Sequence, residues 1–234
     1  GWKASSVGPG AKAGGPSYVL QLCRARQIAR PAAGAECSPA VATLLERCLE
    51  LVSGDGDGAA AALCAAAASF ALAWREHFGR EHEPIRLLGE RNLLRYRPCR
   101  SLLVRAEAAT PAGRLALAQA LLAARTCDVP AVISLSDGWP GAWPKEQAGV
   151  TTVAESEAEL IARLGLGGFE RLRVLVPIAP AARAAAHAAG AAVLDVPVVA
   201  TGRVELRGYL REQAISRVVH RHGSVMPPAP ERQS

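Results

Sequence analysis

The chain has 234 residues, half of them hydrophobic and only 4% aromatic, enough for one large domain, or a medium one with appendages, around a core of Ala, Leu and Val. Such a composition excludes a disordered or collagenous chain. The net charge of +6 is almost all Arg, since Lys occurs only at Lys3, Lys12 and Lys145; the arginines form no dense stripe and have no interleaved aromatics, which argues against nucleic-acid binding.

Residues 1–19 carry Gly at 1, 8, 10, 14 and 15 and Pro at 9 and 16. This predicts irregular backbone, too costly in entropy to order alone and therefore laid against a larger body. Tyr18–Leu22 is a short apolar run. Ser38 reads as an N-cap with Pro39 at the first helical position, followed by Val41, Leu44, Leu45, Cys48, Leu49 and Val52 at helical spacing. The turn Gly54–Gly58 lacks the ligands of a calcium loop. A second helix is expected from about Ala59 to Phe78, completing a helical hairpin. Its apolar part, Ala59–Ala73, falls short of the roughly 18 uncharged residues of a membrane span.

Beyond Pro84 strands and helices alternate. Strands are expected at Leu93–Tyr96, Ser101–Arg105, Ala131–Leu135, Val150–Val153, Leu172–Pro177 and Val193–Val199. Between them, helices are expected from Thr110-Pro111 to Arg125, from a Ser156 cap to Leu164, and over Ala181–Ala189, closed by Gly190. A last helix is expected at about Val204–Arg221, and a frayed tail over 223–234. Repeated βα units predict an α/β fold, a mostly parallel sheet covered by helices and preceded by a helical connector.

Chemistry-bearing motifs are few. Gly165-Leu166-Gly167-Gly168 follows a helix and precedes a strand, the reverse of a dinucleotide fingerprint, and reads as helix termination. The five histidines form no H-E-x-x-H pattern, and His220 and His222 are expected at the basic end of the last helix. Ser136-Asp137-Gly138 lacks the frame of a nucleophile elbow. The six cysteines (Cys23, Cys37, Cys48, Cys64, Cys99 and Cys127) form neither C-x-x-C pairs nor zinc spacings. They are expected to be buried, reduced thiols in a cytoplasmic protein. No catalytic, cofactor-binding or metal-binding residue is assigned.

The opening block, Gly1-Trp2-Lys3-Ala4-Ser5 through Lys12-Ala13-Gly14-Gly15-Pro16-Ser17-Tyr18, resembles the stretch after the catalytic cysteine loop of aldehyde dehydrogenases. Its ending is similar to the L-glutamate γ-semialdehyde (1-pyrroline-5-carboxylate) dehydrogenase branch, with Ser6 where Gly is usual and Ser17 where Asn is common. Gly89-Glu90-Arg91-Asn92 with Leu94–Pro98 resembles the start of the C-terminal domain of proline utilisation A proteins, and Tyr209–Ser216 its closing helix. Arg217-Val218-Val219-His220-Arg221 replaces the terminal segment of long members.

The resemblance implies a piece of a longer oxidoreductase of proline metabolism that oxidises the semialdehyde to glutamate with NAD. The nucleophile, base and cofactor site would lie upstream of Gly1, so none would be held by this fragment. On that reading 1–22 end the catalytic domain and 23–84 form the helical connector. Residues 85–222 would be a non-catalytic, degenerate aldehyde dehydrogenase-like domain able to fold alone, and 223–234 a flexible tail. Its expected partner is the parent catalytic domain, packed within the same chain in place of a dimer partner; a homo-oligomer is also open, but no nucleic acid or membrane span is expected. Two alternatives remain: a free-standing α/β domain binding a phosphorylated ligand through Arg, and a module for acidic partners or nucleic acid.

Overall fold

A computed structural model describes residues 15–136, 146–147, 150–221 and 224–225. Its centre is β3 (Leu102–Ala106), in which all five residues are buried. Leu102, Val104 and Ala106 face one side and Leu103 the other, as the two-residue period of a strand requires. A strand buried on both faces belongs in the middle of a parallel sheet. Accordingly β3 pairs in parallel with β4 (Ala131–Leu135) and with β7 (Arg171–Val174).

The sheet continues through β6 (Val150–Ala154) beyond β4 and through β8 (Ala192–Leu194) beyond β7, with the short antiparallel β5 (Glu146–Gln147) at the β6 edge. The five parallel strands run third, second, first, fourth, fifth in chain order across the sheet. That is the doubly wound, Rossmann-type arrangement. The α/β class expected from the sequence is the class observed.

Local signals place the covering helices. Thr110 caps α3 (Pro111–Thr126) by accepting from Gly113 N at 3.0 Å. Ser156 and Glu159 form a reciprocal capping box at α4 (Glu157–Gly165). Gly190, at φ +78°, follows α5 (Pro180–Ala188), a conformation that favours Gly. Helices α4 and α5 pack Leu160, Leu164, Ala182 and Ala186 on the Leu103 and Leu172 face.

Helix α3 covers the other face and is itself covered. Leu117, Ala118 and Ala120–Ala124 are all buried, as in a helix with protein on every side. Its outer cover is the hairpin of α1 (Pro39–Leu51) and α2 (Asp57–Ala73), which contributes Val41, Leu44, Leu63, Ala67 and Phe70 to the same core. Residue 84 therefore marks a change of texture and not a change of core. A π-helical turn, Trp74–Phe78, continues α2. The combined helix Gly58–Phe78 is long and apolar enough to cross a membrane by length and composition, correcting the sequence estimate; here it buries Leu63, Ala66, Ala67, Phe70, Ala73 and Phe78 against the protein.

The main departure is at the end of the chain. Instead of one helix over Val204–Arg221 there are a single turn α6 (Gly202–Glu205), a 3-10 turn (Leu206–Tyr209) and β9 (Leu210–Val218). Strand β9 runs antiparallel to β2 (Glu90–Pro98), from Glu90↔Val218 to Pro98↔Leu210, and β1 (His82–Ile85) flanks β2 on its other side. Spacing of Leu206, Leu210 and Ile215 looks helical, but β2 supplies a ladder of backbone partners more than a hundred residues away in sequence, which no local pattern reports. Strand β10 (His220–Arg221) pairs with β11 (Ser224–Val225). His220 thus begins a strand rather than ending a helix, while His222, most of the expected tail, and residues 1–14 of the opening block lie outside the described residues.

Two expected strands are also shorter than predicted. One ends at Val174 and the other at Leu194; the apolar residues after them belong to loops.

Candidate functional site

In an open doubly wound sheet, the ligand crevice lies outside the carboxyl ends of the strands, where the winding reverses. Here that point is between β3 and β7. A dinucleotide bound there needs close backbone approach and free N–H groups at the first helix. The turn after β3 reads Ala106-Glu107-Ala108-Ala109-Thr110-Pro111, with no Gly before Gly113. Pro111 has no N–H, and that of Gly113 is taken by Thr110 Oγ1. Arg114 closes the turn further: its Nη1 donates to the carbonyls of Ala108 and Ala109 at 2.8 and 3.2 Å, and its Nε to Asp55 at 2.9 Å. These residues do not fit NAD.

Three arginines are buried in the sheet. Arg105, on β3, donates through Nη1 to Ser134 Oγ at 2.8 Å and to the Glu155 carbonyl at 2.9 Å. Arg171, on β7, donates through Nη2 to the Leu210 carbonyl at 2.5 Å and through Nη1 to the carbonyls of Arg207 and Gly208. It thereby satisfies the end of the 3-10 turn, whose last carbonyls have no partner within the turn. Burial holds the Arg171 guanidinium below its ordinary pKa, against the opposing influence of Cys99 and Glu170.

Arg173 pairs with Glu205 at 3.1 Å, both side chains being at most 5% exposed. The other Glu205 oxygen accepts from Val199 N at 3.0 Å, and Tyr209 donates its hydroxyl to Glu205 Oε1 at 2.9 Å. Burial opposes the charge on Arg173, but Glu205 and Tyr209 outweigh it and raise its pKa. Burial, reinforced by Glu205, pushes the Tyr209 hydroxyl well above its ordinary value. The terminal nitrogens of these arginines donate to the protein's own carbonyls, carboxylates and one hydroxyl, while Arg105 Nε and Arg173 Nε are buried without a hydrogen-bond partner. With the terminal nitrogens so engaged, the pattern is that of a structural scaffold rather than an open phosphate cradle.

Beside this network lies a cavity of about 240 Å³, lined among others by Tyr96, Arg173, Asp195, Glu205, Arg207 and Glu212. Cys23 is on its wall and directs Sγ to the Val19 carbonyl at 3.6 Å. Among the described residues no histidine lines the cavity to activate that thiol. Among the described residues no group of three or more His, Cys, Asp or Glu side chains is placed to hold a metal ion.

No protein-family model and no curated protein matches the chain. Among solved structures, proline utilization A from Corynebacterium freiburgense is 29% identical over 96% of this chain, with a TM-score of 0.61. The fold is shared with part of a proline-utilisation protein. This chain spans only 19% of that protein's length. Another proline utilization A, solved with proline bound in remote sites, is 17% identical over 58% of this chain and 17% of its own, at a TM-score of 0.41. The structure of 3,6-anhydro-L-galactose dehydrogenase in complex with NAP is 12% identical over 65% of this chain and 36% of its own, at 0.43. Superpositions that loose carry no argument. The α/β body is a doubly wound, Rossmann-type domain, a fold it shares with part of that proline utilization A.

The sequence motifs fall as follows. Gly167 and Gly168, at φ +73° and +93°, terminate α4 as expected. Ser136 follows β4, and Asp137 and Gly138 lie outside the described residues. Cys48, Cys99 and Cys127 are buried, and burial pushes the Cys48 thiol up to about 12. Cys23 and Cys64 are exposed and Cys37 is half-buried, so the expectation of buried thiols holds for three of the six. Sequence reasoning missed the Arg171 and Arg173 network. Its one local trace is Arg-Leu-Arg within an apolar strand, where charged residues on a covered sheet face demand partners.

Proposed function

We propose that this chain is the C-terminal, non-catalytic part of an NAD-dependent L-glutamate γ-semialdehyde dehydrogenase of proline catabolism, and that it packs on the parent catalytic domain in place of a dimer partner. The likeness to proline utilization A over nearly the whole of this chain carries the reading. The misfit of the β3–α3 turn to NAD agrees with a role without chemistry of its own.

The surface supports a docking role. Leu22, Ile28, Leu88 and Val218 are 82%, 85%, 88% and 67% exposed, in the segment before α1 and in or beside the three-stranded sheet. Single exposed apolar residues are ordinary, but this number of large ones invites cover by another surface. The dehydrogenase portion of the same polypeptide is the natural cover on this reading, which also places the protein in the cytoplasm.

The test is an assay with glutamate γ-semialdehyde and NAD. The chain alone turns over nothing, while the dehydrogenase portion encoded upstream binds it and shields Leu22, Ile28, Leu88 and Val218 from solvent labelling. Turnover by the chain alone that a Cys→Ala substitution within it abolishes would overturn the reading, as would an upstream sequence unrelated to dehydrogenases.

A further inference from the structure

Cys37 lies in the irregular stretch that leads into α1, and Cys64 lies midway along α2. The stretch is held on the helix at one point. Ala35 N donates to the Ala68 carbonyl at 2.9 Å, and a Cβ on Gly34 would meet Ala68 Cβ at 2.5 Å, so only Gly allows that approach. Cys64 is one helical turn before Ala68 on the same face. Cys37 is two residues beyond Ala35, at most about 7 Å of extended chain. The two thiols therefore lie near the same contact, one on each of the two segments that make it.

Their settings differ in a useful way. Cys64 is exposed, whereas Cys37 is half-buried. The Cys37 thiol is held above its ordinary pKa first by burial, then by the charge of Cys64 and then by that of Glu36. The exposed thiol, Cys64, is the first of the two that a solution oxidant meets. Cys48, Cys99 and Cys127 are shut in the core.

We propose that Cys37 and Cys64 form a dithiol that closes to a disulfide on exposure to a low-molecular-weight disulfide, fastening the connector to α2. The Cys64 thiolate attacks one sulfur of oxidised glutathione, forming a mixed disulfide and releasing one glutathione thiolate. Cys37, losing its proton to solvent, then attacks the Cys64 sulfur and displaces the second glutathione. Two protein thiols are oxidised by two electrons and one glutathione disulfide is reduced to two thiols. Upstream of Cys37, Gln27 Oε1 accepts from Ala200 N at 2.8 Å, so the bond fastens a stretch that already bridges α2 and the turn before α6.

Treating the chain with oxidised glutathione, blocking the remaining thiols and mapping peptides by mass spectrometry tests this. The expected product is one Cys37–Cys64 linkage, with Cys48, Cys99 and Cys127 unmodified. Cys37→Ser should trap Cys64 as its glutathione mixed disulfide, and Cys64→Ser should leave Cys37 slow to react. Both variants are checked for wild-type thermal unfolding, and amide exchange over residues 30–38 should slow at least tenfold on oxidation of the wild type only. A Cys64 mixed disulfide that persists in the wild type, a Cys23–Cys64 linkage, or unchanged exchange after linkage would overturn the proposal.

Discussion

Strand β3 and strand β9 belong to the same chain and meet solvent in opposite ways. Every residue of β3 is buried, between α3 on one face and α4 with α5 on the other. In β9 only Leu210 is buried, and from Gln213 to Val218 all but Ile215 are exposed. The parallel sheet finds both its covers within the chain. Among the described residues the three-stranded sheet does not, although the pairing of β9 with β2 is as long as β9 itself. A backbone ladder can thus be completed on a sheet face that the described residues leave exposed.

That contrast breaks most visibly if α1 and α2 are removed. Residues 85–222, which by strand and helix content alone should fold by themselves, would expose the outer face of α3, including two or three leucines at about 1.5–3 kcal/mol each. The truncated chain is expected to lose on the order of 5 kcal/mol and its cooperative urea transition; a transition matching that of the full chain would show that the hairpin is dispensable.

Arg173→Leu should cost about 3–5 kcal/mol, because it strands the Glu205 carboxylate in the interior. The double substitution with Glu205→Leu should recover part of this, and chemical denaturation of the three variants measures the difference. Leu121→Ala, in the shared core, should cost about 2–5 kcal/mol. Val218→Ala, on the uncovered sheet, should stay within about 0.5 kcal/mol in the isolated chain yet weaken association with the dehydrogenase portion. Equal effects at Leu121 and Val218 would erase the contrast.

The smallest expected effect is on pH. His77, in the π-helical turn, lies 2.9 Å from the Tyr96 hydroxyl and stacks near His82, joining α2 to β1 and β2. Burial, then Arg203 and His82, lower its pKa from 6.5 to about 4. Over that interval the unfolded chain binds the proton more readily, so the stability from neutral His77 is present above about pH 6.5 and fades as pH falls toward 4. His77→Gln should flatten that part of the urea-midpoint profile between pH 7 and 4.5; an unchanged slope would remove His77 as its source.

The doubly wound body was largely legible because its signals are local. Thr110-Pro111, Ser156 with Glu159, and Gly190 each act within a turn or so of a helix end, and the apolar run within Ser101–Arg105 marks a strand. Of the candidate site little was legible. Gly165–Gly168 was legible as a helix end, and Gly167 and Gly168 do follow α4 at positive φ, but Arg171 and Arg173 gave no hint that carbonyls at 194–210 and Glu205 would receive them.

By itself, then, the sequence determined where α3, α4 and α5 start and stop, and the α/β class, since capping and hydrophobic period depend only on neighbours a few residues away. Tertiary structure alone decided that residues 210–218 are a strand, that α1 and α2 share the core of α3, and that three arginines could be buried. Each of those outcomes depends on partners distant in the chain: β2 for β9, α3 for the hairpin, and, for Arg171 and Arg173, the carbonyls and carboxylate that the 194–210 segment brings within hydrogen-bonding reach.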